Sequence, residues 1–113
     1  MADCLFCNMA SGEMQVPKLY EDYLVFSIRD IHPRAPTHVM VIPREHIPTA
    51  LDLTDAHAAM LGRLFEAAAK VARQEELDER GYRLAFNVGD HAGMTIPHLH
   101  LHMVGGRRLG PEG

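Results

Sequence analysis

Several kinds of residue and pattern are scarce in this sequence, and each shortage removes a class of protein. Among 113 residues there is no tryptophan, and aromatic side chains make up only 6%. No run of basic residues occurs and no basic side chains interleave with aromatics. At a net charge of −4, a nucleic-acid polymer is not an expected partner. No apolar stretch approaches the length of a membrane span, and the start lacks the basic-then-apolar pattern of a secretory leader. The chain therefore reads as soluble and cytoplasmic, with no membrane partner. There are no internal repeats, linkers or low-complexity tracts. The remaining composition, 47% hydrophobic and 23% charged, is that of one globular domain over residues 1–113, long enough to bury a core.

Histidine is what the sequence does have. Three of its eight histidines stand in His98-Leu99-His100-Leu101-His102, followed by Met103 and Val104. Alternation of period two is the signature of a half-buried strand. His98, His100 and His102 share one face, and Leu99, Leu101 and Met103 share the other. Three readings compete for the imidazole face: a solvated edge, a three-histidine metal site, or nucleophilic and acid–base chemistry on a phosphate.

The only cysteines are Cys4 and Cys7. Their Cys-x-x-Cys spacing fits a redox pair, half of a structural zinc site, or two buried thiols packing as small hydrophobes. Leu5, Phe6 and Met9 suggest a short helix ending near Ser11-Gly12. Residues 18–21 and 23–28 read as strands joined by a turn at Glu21-Asp22, and residues 37–42 as a third strand ended by Pro43. The loop between, residues 29–37, is punctuated by Pro33 and Pro36. Thr54 is a good N-cap for a helix whose stripe of Met60, Leu61, Leu64, Ala68, Val71 and Ala72 runs to about Leu77. Residues 82–87 make the fourth strand, and a glycine-containing loop leads to the histidine strand. The expected class is α+β: a five-stranded, mainly antiparallel sheet with one long helix and a short N-terminal helix.

Taken together, these motifs resemble the histidine triad superfamily of nucleotide hydrolases and transferases. The resemblance rests on the triad itself, on Asp30-Ile31, on Ala35-Pro36-Thr37-His38, and on Val41-Ile42-Pro43-Arg44-x-His46-Ile47. It extends to Asn87-x-Gly89, to Gly93-x-Thr95, and to Val104-Gly105-Gly106-Arg107, which is similar to the branch of histidine triad nucleotide-binding proteins. The resemblance implies a purine nucleoside phosphoramidate hydrolase acting as a homodimer on purine nucleoside monophosphates and phosphoramidates. Each subunit would meet its partner through the helix of residues 54–77, where Ala67 and Ala69 allow close approach, and the strand of residues 82–87. His100 would be the nucleophile on the α-phosphorus, forming a covalent nucleotidyl-histidine. His38 and His98 would hold phosphate oxygens. Asn87, Gly93, Thr95 and His102 would help hold the phosphate or leaving group. Asp30 would take the ribose hydroxyls, and Ile31 and Phe26 would line the base pocket.

The chain departs from the family pattern at three places. Thr95 stands where serine is usual, Pro97 where an aromatic is usual, and the tail is short and has no tryptophan. For the thiols, the resemblance implies one structural zinc held by Cys4, Cys7, His46 and His98, with no cofactor needed for the chemistry. The alternative is that the thiols stay reduced and His46 touches His98 directly. Other activities kept open are a dinucleoside polyphosphate hydrolase or nucleotidyl transferase using the same nucleophile, and a nucleotide-binding interaction protein with negligible turnover.

Overall fold

The computed structural model describes residues 4–113. Helix α1 spans Leu5–Ser11. Strands β1 (Tyr20–Glu21), β2 (Val25–Arg29) and β3 (Thr37–Pro43) follow. Next come helix α2 (Ala58–Gln74), strand β4 (Tyr82–Ala85) and strand β5 (Leu101–Gly105). The five strands form one sheet in the order β1-β2-β3-β5-β4, and every pairing is antiparallel. The class is α+β, as the patterning implied. The long α2 crossover carries the chain past β3, so β5 enters the sheet between β3 and β4. The histidine strand is therefore interior, and Met40 of β3 lies opposite His102.

Period-two alternation divides the sheet between two cores. Val25, Val39, Val41, Leu99, Leu101 and Met103 pack against Leu64, Ala68 and Val71 of α2. Phe26, Ile28, Met40 and Ile42 point the other way and pack with Cys4, Phe6 and Met9 at α1. Ala67 is fully buried in the α2 core, so it is not free to meet a partner helix as expected, because its side chain already faces the sheet.

Strands β1 and β2 start two residues later than expected and β4 ends at Ala85, and three further element ends shift through contacts that the structure shows. Thr54 caps a 3-10 turn at Asp55–His57, its hydroxyl accepting from the Ala56 amide, and α2 starts only at Ala58. Helix α2 stops at Gln74, before the expected Leu77, because Glu76 adopts φ 60°. That left-handed residue lets the Leu77 amide reach the Ala72 carbonyl at 2.8 Å, as in a Schellman ending, and Leu77 folds into the core. The third shift concerns β5, whose regular ladder starts at Leu101, so His98 and His100 precede the strand proper. Their extended path is held instead by the Leu99 amide, which donates to the Ile47 carbonyl at 2.7 Å.

The N-terminal segment is tied down by side chains. The Cys4 thiol caps α1, accepting from the Cys7 amide at 3.4 Å. Arg44 donates to the carbonyls of Ala10 at 2.9 Å and Asp22 at 2.7 Å, fastening α1 to the β1–β2 turn. Burial pushes the Asp22 carboxyl up, but donation from Tyr20, from the Val25 and Leu24 amides and from Arg63 outweighs it. The group stays well below the usual carboxylate range. No helix among the described residues is long and apolar enough to cross a membrane.

Candidate active site

The imidazoles of the second face are ordered by groups whose hydrogen-bonding role is not in doubt. A carbonyl oxygen only accepts, so the nitrogen that meets it carries the proton. His100 Nδ1 lies 2.7 Å from the His98 carbonyl; it donates there, and the Nε2 lone pair is left for the cavity. His98 Nε2 lies 2.8 Å from the Pro43 carbonyl, so its Nδ1 is the unprotonated nitrogen. An amide N–H only donates. The Arg34 amide is 3.2 Å from His38 Nδ1, which places the His38 proton on Nε2. That nitrogen is 2.9 Å from His102 Nδ1, and the His102 proton is thereby assigned to its own Nε2.

The electrostatics agree with neutral rings. Burial, then the neighbouring His100, His38 and Arg34, push His102 down to about 4. Burial also lowers His38, against the pull of Asp30, and lowers His98. Over the neutral range these three are fixed hydrogen-bonding groups rather than charges.

His100 and His102 open onto a cavity of about 280 Å³, whose wall also includes Asp30, Ile31, Asn87, Gly93 and Thr95. Most of the residues expected to hold the nucleotide are thus brought together, with three exceptions. The first is His38, whose two ring nitrogens meet the Arg34 amide and His102 and which does not line the cavity. Phe26 is fully buried and lies outside the cavity wall, covered by Arg44 and Lys18. Ile28, two residues on along the same face, lines the cavity instead. His98 is also fully buried, with one ring nitrogen on Pro43 and the other facing the thiols. It has no nitrogen left for a phosphate oxygen, and its contribution is the carbonyl that holds His100. Asp30 divides its carboxylate: Oδ1 accepts from the His32 amide at 2.8 Å, while Oδ2 lies 3.4 Å from His38 Nε2.

Sequence reasoning missed the α1 wall. Leu5, Phe6 and Met9, together with Val16, Met40 and Ile96, supply the apolar lining. Phe6 stands edge-on to both His98 and His100, with centroids 5.6 and 5.2 Å apart. Period two did carry a signal for Met40, which shares a face with His38. A wider, open cleft of about 1220 Å³ lies beside β4 and the tail, away from these imidazoles.

Among the described residues, two side-chain clusters have donor atoms close enough to hold a metal. Cys4, Cys7, His46 and His98 form the first. Its distances are 3.2 Å from Cys4 Sγ to His98 Nδ1, 3.3 Å from Cys7 Sγ to His46 Nδ1, 3.6 Å from Cys7 Sγ to His98 Nδ1, and 3.2 Å between the two Nδ1 atoms. A tetrahedral zinc with ordinary bond lengths sets its ligands about 3.3 Å apart for two nitrogens and about 3.6 Å for sulfur and nitrogen. The donor set is S2N2, and the Pro43 carbonyl already holds the His98 tautomer that ligation needs. These residues fit zinc. The second cluster is Asp30, His38 and His102. There the Arg34 amide forces a proton onto His38 Nε2, and a protonated nitrogen cannot ligate, so this group is a hydrogen-bonded relay. The triad imidazoles themselves form no common ligand set among the described residues, which removes the three-histidine catalytic metal.

A family model described as HIT domain matches residues 11–109. The chain belongs to the HIT family. The match takes in all five strands and α2, whereas Cys4 and Cys7 lie ahead of it. A HIT family hydrolase from Legionella pneumophila superposes with a TM-score of 0.95 at 43% identity, covering 98% of this chain and 100% of that one. The purine nucleoside phosphoramidase of Escherichia coli K12 is 43% identical over 109 residues, 96% of this chain and 92% of that protein. A 14 kDa zinc-binding protein of Brassica juncea is 37% identical, covering 95% of this chain and 96% of that protein.

Proposed function

We propose that this HIT protein hydrolyses purine nucleoside 5′-phosphoramidates through a covalent nucleotidyl-histidine. The observation that carries the reading is the His100 ring, clamped by its Nδ1–H on the His98 carbonyl with Nε2 open to the cavity. The 43% identity to a purine nucleoside phosphoramidase across nearly the whole chain supports it. His100 Nε2 attacks the α-phosphorus, and the phosphorus–nitrogen bond of the substrate breaks. The departing amine leaves with a proton delivered through His102 Nε2–H, and solvent at the cavity mouth replaces that proton. Water then attacks the phosphorus and the bond to His100 breaks. A nucleoside monophosphate is released, and the proton of water returns to solvent. Such a transfer depends chiefly on positioning and on donors around the phosphoryl oxygens. Asn87, Thr95 and the backbone at Gly93 take that part, Asp30 Oδ2 takes a ribose hydroxyl, and Ile28, Ile31, Met9 and Met40 flank the base.

The same reading includes one structural zinc at Cys4, Cys7, His46 and His98, which would join α1 to the segment that carries the nucleophile. It includes a two-fold dimer through β4 and α2. Among the described residues β4 is an edge strand with one unpaired side, and the half-exposed Phe65 of α2 meets Phe86 edge-on beside it. Free cysteines suit a reducing compartment, the cytoplasm.

The test is competition between adenosine 5′-phosphoramidate and a diadenosine polyphosphate, with rapid-quench mass spectrometry of the protein. Preferred hydrolysis of the phosphoramidate and a nucleotidyl adduct on His100 are expected. Preference for the polyphosphate would assign the second activity, and binding without adduct or turnover would leave only a nucleotide-binding module.

A further inference from the structure

We infer that Arg107, just beyond β5, is a positioning residue: by holding the Arg34 carbonyl it keeps the Arg34 amide on His38 and so fixes which nitrogen of His102 carries the proton. The activity part of this inference rests on the proposed phosphoramidase; the proton assignment does not.

The chain of contacts is continuous. Arg107 Nη2 donates to the Arg34 carbonyl at 2.9 Å, and Nη1 donates to the Arg108 carbonyl at 3.1 Å. One planar guanidinium thus bridges two carbonyls, a task that the single ammonium of lysine performs less well. Arg34 in turn donates its amide to His38 Nδ1, and His38 Nε2 meets His102 Nδ1. Among the described residues, the loop that carries Arg34 has few other hydrogen bonds to hold it. Pro33 and Pro36 have no amide to donate, and the hydrogen bonds of residues 31–36 run to Asp30, to His38 and to Arg107. Arg107 is the one of these that comes from a distant part of the chain.

The approach of the tail to this loop is built in. Gly106 has φ 96°, and a Cβ there would stand 2.9 Å from Pro36 Cβ. Only glycine lets the chain turn at that point and pass so near Pro36, which delivers Arg107 to Arg34. The order of the relay matters because a neutral imidazole has one donor and one acceptor nitrogen. Without the Arg34 amide, His38 is free to carry its proton on Nδ1. Its Nε2 would then accept from His102 Nδ1–H, and His102 would present a lone pair to the cavity in place of the N–H that the departing amine needs.

The test uses the full chain labelled with ¹⁵N and long-range ¹H–¹⁵N correlation spectra of the imidazoles. In the wild type, His38 and His102 should both appear as Nε2–H tautomers and His100 as Nδ1–H. Arg107→Met should turn His102 into a tautomer mixture while His100 is unchanged, with Arg107→Lys falling between. Gly106→Ala, which keeps the guanidinium but displaces it, should resemble Arg107→Met. In turnover, Arg107→Met should lower kcat about five- to tenfold on a phosphoramidate of a basic amine, with KM within about twofold, since the lost interaction serves the transition state. A nucleotide ester with a good leaving group should lose less. A folded Arg107→Met whose His38 and His102 tautomers match the wild type would overturn the inference. So would a wild type with His38 protonated on Nδ1. If no phosphoramidate is turned over at all, the proposed function fails while the spectra still decide the role of Arg107.

Discussion

The two faces of the sheet are made in different ways. Toward α2, Val25, Val39, Val41, Leu101 and Met103 meet Leu64, Ala68 and Val71. Such contacts have no direction, and their strength follows buried area and close packing. Toward α1 lie His38 of β3, His102 of β5 and His100 just ahead of β5, and each ring nitrogen that has a partner has a specific one. The first face is held by packing alone and tolerates repacking. The second has its own apolar core around Phe6, Phe26 and Ile42, and among its imidazoles every donor has a set direction. A substitution in the α2 core should therefore change stability with little effect on chemistry, and one among the imidazoles of the cavity the reverse.

The sharpest form of that contrast is His100→Ala. It should lower phosphoramidate turnover by about 10⁴-fold or more, as expected for a lost nucleophile, while a thermal melt stays near that of the wild type. Leu64→Ala, on the other face, should cost about 3–5 kcal/mol through lost burial and a cavity. Chemical denaturation would measure the cost, and kcat per folded molecule should be unchanged. A Leu64→Ala protein with normal stability and damaged kcat would break the division.

Cys4→Ser with Cys7→Ser tests where the faces join. Wild-type protein purified without chelator should contain about one zinc per chain, the double mutant none. The thermal midpoint should fall by about 5 °C or more, with a loss of activity smaller than that of His100→Ala. Equal metal content in both proteins would remove the thiols from the site.

Acid should separate the faces by titration. His38 and His102 are held below the ordinary value of about 6.5 by burial, His102 down to about 4. Between those values the unfolded chain binds more protons than the folded one, so stability rises with pH. Their contribution is complete above about pH 6.5 and is lost as pH falls toward about 4. The Asp22 carboxyl, also lowered, adds its loss only below the ordinary carboxylate range. Urea midpoints at several pH values should show the slope, and His102→Asn should flatten it. The smallest effect is expected at Ser27 on the α2 side, whose buried hydroxyl has no hydrogen-bond partner among the described residues. Ser27→Ala should be neutral or stabilise by up to about 1 kcal/mol, read as a higher melting temperature with unchanged turnover.

Much of this arrangement was legible in residue order. The alternation of histidine and leucine set the two faces of β5, and the stripe from Met60 to Ala72 set the face of α2. The motifs around Asp30, Asn87 and Thr95 pointed to residues that do share one cavity. What failed to show was the depth of each side chain. Phe26 and Ile28 share a face and a chemistry, and only the position of α1 decides that Ile28 meets the cavity while Phe26 lies beneath Arg44. The Leu5–Met9 wall escaped notice for a related reason: a short helix near one end of the chain gives no sign of what it packs against.

The sequence by itself determined the periodicities, the turns and the kinds of group available, because these depend on neighbours along the chain. Only the tertiary structure decided which nitrogen of each imidazole is free. His98 and His100 are nearly identical in sequence context, each a histidine preceding a leucine. One is closed by Pro43 and the thiols, and the other is open because its Nδ1 is held by a carbonyl two residues back. The partners of His98 lie 55 and 94 residues away along the chain. A hydrogen bond has direction and a range of a few ångströms, so its assignment follows from where those distant residues come together.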